Sequence, residues 1–93
     1  MFLGVISFEL FISDSGSLKS KRQVLRTLKD KIRANFNVSV SEVGYQDKWQ
    51  RAELAVACIG SDKKYVNGLL NKINDLLRSC HRVQVIDSRM EMW

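Results

Sequence analysis

Apolar residues in this chain change their spacing from two to about 3.6 and back, and they do so twice, which restricts the fold more than any other property. From Phe2 to Ile12 the even positions are Phe2, Gly4, Ile6, Phe8, Leu10 and Ile12, while the odd ones include Ser7 and Glu9. Period two is that of a strand with one face in the core, here the even face. Leu18, Leu25, Leu28, Ile32 and Phe36 then recur at steps of seven, three, four and four, the stripe of an amphipathic helix. The turn cluster Ser13-Asp14-Ser15-Gly16-Ser17 separates the two, and Ser17 is placed to cap the helix by accepting from a first-turn amide. Asn35 and Asn37 bracket the helix end.

The second half repeats the switch. Val38, Val40 and Val43 mark a second strand, and Leu54, Val56 and Cys58 a third; the polar run from Gly44 to Arg51 between them predicts a long hairpin connection. Gly60-Ser61-Asp62 supplies a turn and cap before a second helical stripe of Val66, Leu69, Leu70, Ile73, Leu76 and Leu77. Arg82 to Trp93 closes as a last strand, with Val83 and Val85 alternating against Gln84. The order β-α-β-β-α-β predicts an α+β, ferredoxin-like fold: a four-stranded antiparallel sheet with two helices on one face, since right-handed crossovers place both there. The 93 residues suffice for one domain, residues 1–93, with a single core. The other sheet face is expected to be bare, presenting Leu3, Val5, Ser7, Glu9 and Phe11 on the first strand with Ala55, Ala57 and Ile59 on the third.

Charge is concentrated in the first helix. Lys19, Lys21, Arg22, Arg26, Lys29, Lys31 and Arg33 stand against one acid, Asp30, so this helix carries +6 of a chain total of +5 and leaves −1 elsewhere. At about 100° per residue, Lys19, Arg22, Arg26, Lys29 and Arg33 fall within an arc of about 80° beside the apolar stripe. They make a basic ridge roughly 20 Å long. Cations in the first turn oppose the helix dipole, and Lys19, Lys21 and Arg22 beside Ser17 and unpaired amides therefore suggest an anion site. The expectation is a phosphate backbone, RNA or the ribosome, bound by Ser17, Lys19, Lys21, Arg22, Arg26, Lys29 and Arg33. The plainer alternative is a solvated lysine-rich helix face.

The hairpin is a second candidate contact. Tyr45, Trp49 and Arg51 are residue types enriched at binding hot spots, and Gln46, Asp47 and Gln50 between them hydrogen-bond broadly. An RNA-recognition domain of this topology stacks bases on aromatic residues of its third strand, but Ala52 to Ile59 contains none. That small apolar face instead predicts cover by a partner, with a homodimer through the open sheet face as the alternative function.

Enzyme chemistry finds little support. The single histidine, His81, adjoins Cys80, and neighbouring side chains diverge; no phosphate-binding loop, dinucleotide fingerprint or paired-histidine metal motif occurs. The reading is of no catalytic residues, no metal, no cofactor and no small-molecule substrate. Cys58 and Cys80 lack the spacing of a zinc module or a disulfide framework, which suggests reduced thiols in the cytoplasm. The apolar start has no basic leader and carries Glu9, so neither a signal peptide nor a membrane span is expected.

Two stretches carry a resemblance: Ser17-Leu18-Lys19-Ser20-Lys21-Arg22, and the longer run from Asn37 through Ser41-Glu42-Val43-Gly44-Tyr45-Gln46-Asp47-Lys48-Trp49-Gln50-Arg51 to Ala52. Together they resemble the YlxP-like family of small bacterial proteins, across essentially the whole chain. The resemblance implies a ferredoxin-like fold. It also implies a role near translation or ribosome maturation, because the family's genes often neighbour those of translation initiation factor two and ribosome-binding factor A. Where the family often has a proline before the position of Ser17, this chain has Ser13 to Gly16.

Overall fold

The computed structural model describes residues 1–13 and 15–93; Asp14, assigned above to the turn cluster, lies outside the described residues. The elements are β1 (Phe2–Phe11), α1 (Leu18–Asn35), β2 (Ser39–Gly44), β3 (Arg51–Gly60), α2 (Lys63–Arg78) and β4 (Gln84–Met92). The strands pair antiparallel in the order β2-β3-β1-β4. With both helices on one face, this is the ferredoxin-like α+β arrangement that the alternating periods predict.

The even face of β1 is buried at Ile6, Phe8 and Leu10, followed by Ile12, and it pairs across the sheet with Val56, Leu54 and Ala52 of β3. Over this layer lie Val24, Leu25, Leu28 and Ile32 of α1 with Val66, Leu69, Leu70, Ile73 and Leu77 of α2. Each fully buried aliphatic or aromatic side chain contributes about 1.5–3 kcal/mol, so this layer is the main source of stability. Helix α2 lies directly on β1 at Gly4, where a Cβ would come within 2.7 Å of both Leu70 and Val66.

Two irregularities shift the strand phase. Glu42 pairs with Leu54 but Gly44 with Glu53, so Val43 is the extra residue of a bulge and is exposed. In the same way Glu9 pairs with Asp87 but Leu10 with Val85, leaving Ile86 exposed at a second bulge. The inward residues therefore change from odd positions, Val83 just before β4 and Val85 within it, to even ones, Met90 and Met92.

The open face of the sheet is divided. At one end Leu3 pairs with Ile59 and with Trp93, and all three are exposed. At the other, Glu53, Glu9 and Asp87 stand side by side on three adjacent strands. The expected apolar character thus holds for one half of this face only. Among the described residues, no helix is long and apolar enough to cross a membrane.

Candidate nucleic-acid interface

Helix α1 begins as its capping signal predicts, with the Ser17 hydroxyl accepting from the Ser20 amide at 3.1 Å and no acid in the first turn. The ridge is altered at one place. Lys21, expected among the phosphate contacts, is fully buried. Its ammonium donates to the Tyr45 carbonyl at 2.7 Å and the Arg51 carbonyl at 3.2 Å, and lies 3.0 Å from Glu42 Oε2. Two carbonyl hydrogen bonds and a close ion pair thus hold the ammonium, which burial keeps out of a ligand's reach. The physical reason is position: Lys21 lies four residues before Leu25 and seven before Leu28, on the inward stripe. Glu42 likewise occupies the inward phase of β2, two residues after the buried Val40.

The anion site expected at the start of α1 therefore loses a cation. The structure keeps Lys19 exposed there, and gathers the other cations further along the helix. Arg22, Arg26, Lys29 and Arg33 line one groove between α1 and the edge strand β2, together with Asp30 and Glu42. Both acids are engaged, Glu42 by Lys21 and Asp30 by Arg33 at 3.7 Å. Arg33 also donates to the Val40 carbonyl of β2 at 3.1 Å, which ties the helix end to the edge strand. Among the described residues Arg22, Arg26 and Lys29 have no carboxylate partner. One turn of helix, about 5.4 Å, separates each from the next.

Lys21 also fixes the hairpin against the start of the ridge, since both carbonyls it holds lie at the hairpin's base. Tyr45 has a left-handed backbone (φ 57°), a conformation that costs a non-glycine residue energy and that the Lys21 contact to its carbonyl helps to hold. The Lys48 amide closes the turn on the same carbonyl at 3.0 Å. The Arg51 guanidinium lies 5.0 Å from the centre of the Tyr45 ring and pairs with Glu9. Gln50 donates to Ser13 O at 3.1 Å and Gln46 to Glu42 O at 3.3 Å. Of the hairpin residues expected to meet a partner, Tyr45, Gln46, Gln50 and Arg51 thus make contacts within the chain, whereas Asp47 and Trp49 project freely, Trp49 being 57% exposed.

The sheet offers the opposite charge. Glu9, Glu53 and Asp87 line a shallow hollow with Arg89 and Tyr45. With Glu9 paired to Arg51, a phosphate backbone laid there would face the carboxylates of Glu53 and Asp87 beside Arg89. Both cysteines are free thiols; Cys58 is buried, and burial pushes its thiol up from the ordinary range. His81 lies exposed beyond the end of α2, and among the described residues no three His, Cys, Asp or Glu side chains are placed to hold a metal ion.

Comparison with known proteins places the chain in a family and leaves its chemistry open. The family described as "Protein of unknown function (DUF503)" matches residues 3–90. A relative from Bacillus subtilis (strain 168), "Uncharacterized protein YlxP", is 35% identical over 89 residues, covering 96% of this chain and 97% of the relative.

Proposed function

For this chain, which belongs to the DUF503 family with YlxP of Bacillus subtilis as a relative, we propose a non-enzymatic role: a cytoplasmic accessory protein that holds RNA, on or near the ribosome, by its phosphate backbone. The observation that carries this reading is the groove beside α1, where Arg22, Arg26 and Lys29 stand one turn apart while both acids of the groove are already paired. Cations left without partners in a concave strip are what a polyanion needs, and neutralising its phosphates releases counterions. The division of charge supports the same assignment, since Glu53 and Asp87 stand on the sheet without a cation partner among the described residues and disfavour phosphate there. Lys19 and Arg33 extend the contact at its two ends, and Trp49 and Asp47 of the hairpin provide a secondary contact beyond the amino end of the helix. Fractionation of a cell extract tests it: the protein should travel with ribosomal particles at low salt and leave them at high salt, and reversing Arg22, Arg26 and Lys29 to Glu should release it at both. Free migration of the native chain at low salt would refute the reading.

A second reading, a homodimer through the sheet, is favoured by the exposed cluster Leu3, Ile59 and Trp93 at the apolar end of the open face. Sedimentation velocity of the wild type and of Ile59→Glu decides it. A dimer that the substitution dissociates supports the reading, and a monomer in both removes it.

A further inference from the structure

A second groove lies on the other flank of α1, between its carboxyl end and the first turns of α2. Its volume, about 390 Å³, falls within the ordinary range for small-molecule sites. One wall is Tyr65, which remains 58% exposed although an edge of its ring is seated at the end of β3, where a Cβ on Gly60 would lie 3.5 Å from Tyr65 Cδ2. Asn35 and Asn37 face it from the α1 side. The Asn35 amide nitrogen donates to Lys31 O at 2.8 Å, so its oxygen is left to accept, and the Asn37 side chain has no hydrogen-bond partner among the described residues. Lys64 and Lys72 stand on the rim.

The floor of this groove holds a glycine that packing does not explain. Gly68 lies inside α2, where glycine is among the poorest helix formers, yet a Cβ there would meet nothing within 4 Å. No neighbour excludes a side chain. What glycine does at such a place is leave the helix backbone open to close approach by a ligand. Shared lining residues place this groove and the basic one round the same end of α1. Arg33 lines both the basic groove and a hollow beside Asn37 and Ser39, and Asn37 lines both that hollow and the second groove.

An aromatic face, amide groups and flanking ammonium groups over a clear floor suit a flat heterocycle with polar edges and phosphates on either side. We infer that this groove takes one unpaired base of a single-stranded RNA, stacked on Tyr65 above Gly68. Asn35 and Asn37 contact the base edge, Lys64 and Lys72 the adjoining phosphates, and the strand passes round the end of α1 into the basic groove. The inference rests on the proposed RNA-binding role and adds its selectivity: a duplex keeps its bases stacked and offers none to this groove.

Fluorescence anisotropy with a short labelled RNA, as single strand and as duplex, separates the two ideas. Tyr65→Ala and Gly68→Leu should each weaken single-strand binding about 5- to 100-fold, leave duplex binding unchanged, and leave the salt dependence unchanged; Tyr65→Phe should retain binding. Loss of helix stability does not produce such an outcome, because leucine at 68 and alanine at 65 are both better helix formers than the residues they replace. Binding that survives Tyr65→Ala and Gly68→Leu but is abolished by reversal of Arg22, Arg26 and Lys29 overturns the base groove and spares the ridge. Absence of binding to either RNA at low salt overturns both. Adenosine monophosphate reads the groove alone: it should shift the amide resonances of Gly68 and of the Asn35 and Asn37 side chains, whereas ribose 5-phosphate should not, and equal or absent shifts contradict the inference.

Discussion

Lys21 and Arg22 are neighbours on one helix, both cationic, and they do opposite work. Lys21 turns inward and spends its ammonium on Glu42 and two hairpin carbonyls; Arg22 turns outward and joins Arg26 and Lys29 in a groove without carboxylate partners. The difference is 100° of helix rotation. It teaches that a run of basic residues is not a unit: one member here is part of the core, while Arg22, Arg26 and Lys29 stand together at the surface.

The comparison breaks most visibly at Lys21. Lys21→Met removes one partner of a buried ion pair and should cost about 3–5 kcal/mol of stability, measured by urea unfolding, while the folded fraction keeps its affinity for RNA. Adding Glu42→Leu should recover part of that loss, since a buried ion pair exchanged for apolar side chains is often neutral. Both carbonyls lose the ammonium in the double variant, Tyr45 O keeping only the Lys48 amide, so a deficit of about 1–3 kcal/mol should persist. Full recovery would show that those two contacts contribute nothing. Reversal of Arg22, Arg26 and Lys29 to Glu should do the converse, lowering RNA affinity by on the order of 100-fold with stability within about 0.5 kcal/mol of wild type. A large stability loss there would place these cations with Lys21 rather than apart from it. The smallest effect sharpens the account of the other flank: Gly68→Ala should stabilise the protein by about 0.5–1 kcal/mol, as alanine does in a helix with open space around it.

Much of the fold is legible from residue spacing, because each element buries one face. The even residues of β1, the stripe of α1 and the capping serine at position 17 all lie where period and chemistry place them. The breaks in phase at Val43 and Ile86 are less so, since a bulge adds a residue without any distinctive type to announce it. Lys21 was visible in principle: its spacing from Leu25 and Leu28 puts it on the inward stripe, but residue type argued for the surface. The partner that stabilises it there, Glu42, is 21 positions away and is found only once the strand phase is known. Tyr65 and Gly68 carry no signal along the chain. Their significance arises where α2 meets the end of α1, a juxtaposition that only the tertiary arrangement supplies.

The claim on which the rest depends is that the groove cations bind phosphate, and the salt dependence of RNA affinity tests it most directly. For single-stranded RNA the logarithm of the association constant should fall against the logarithm of salt concentration, each phosphate contact adding about −0.7 and Arg22, Arg26 and Lys29 together about −2 of the slope. The variant with Arg22, Arg26 and Lys29 reversed to Glu should lose that part of the slope. A slope that is the same in the wild type and in this variant would contradict the account.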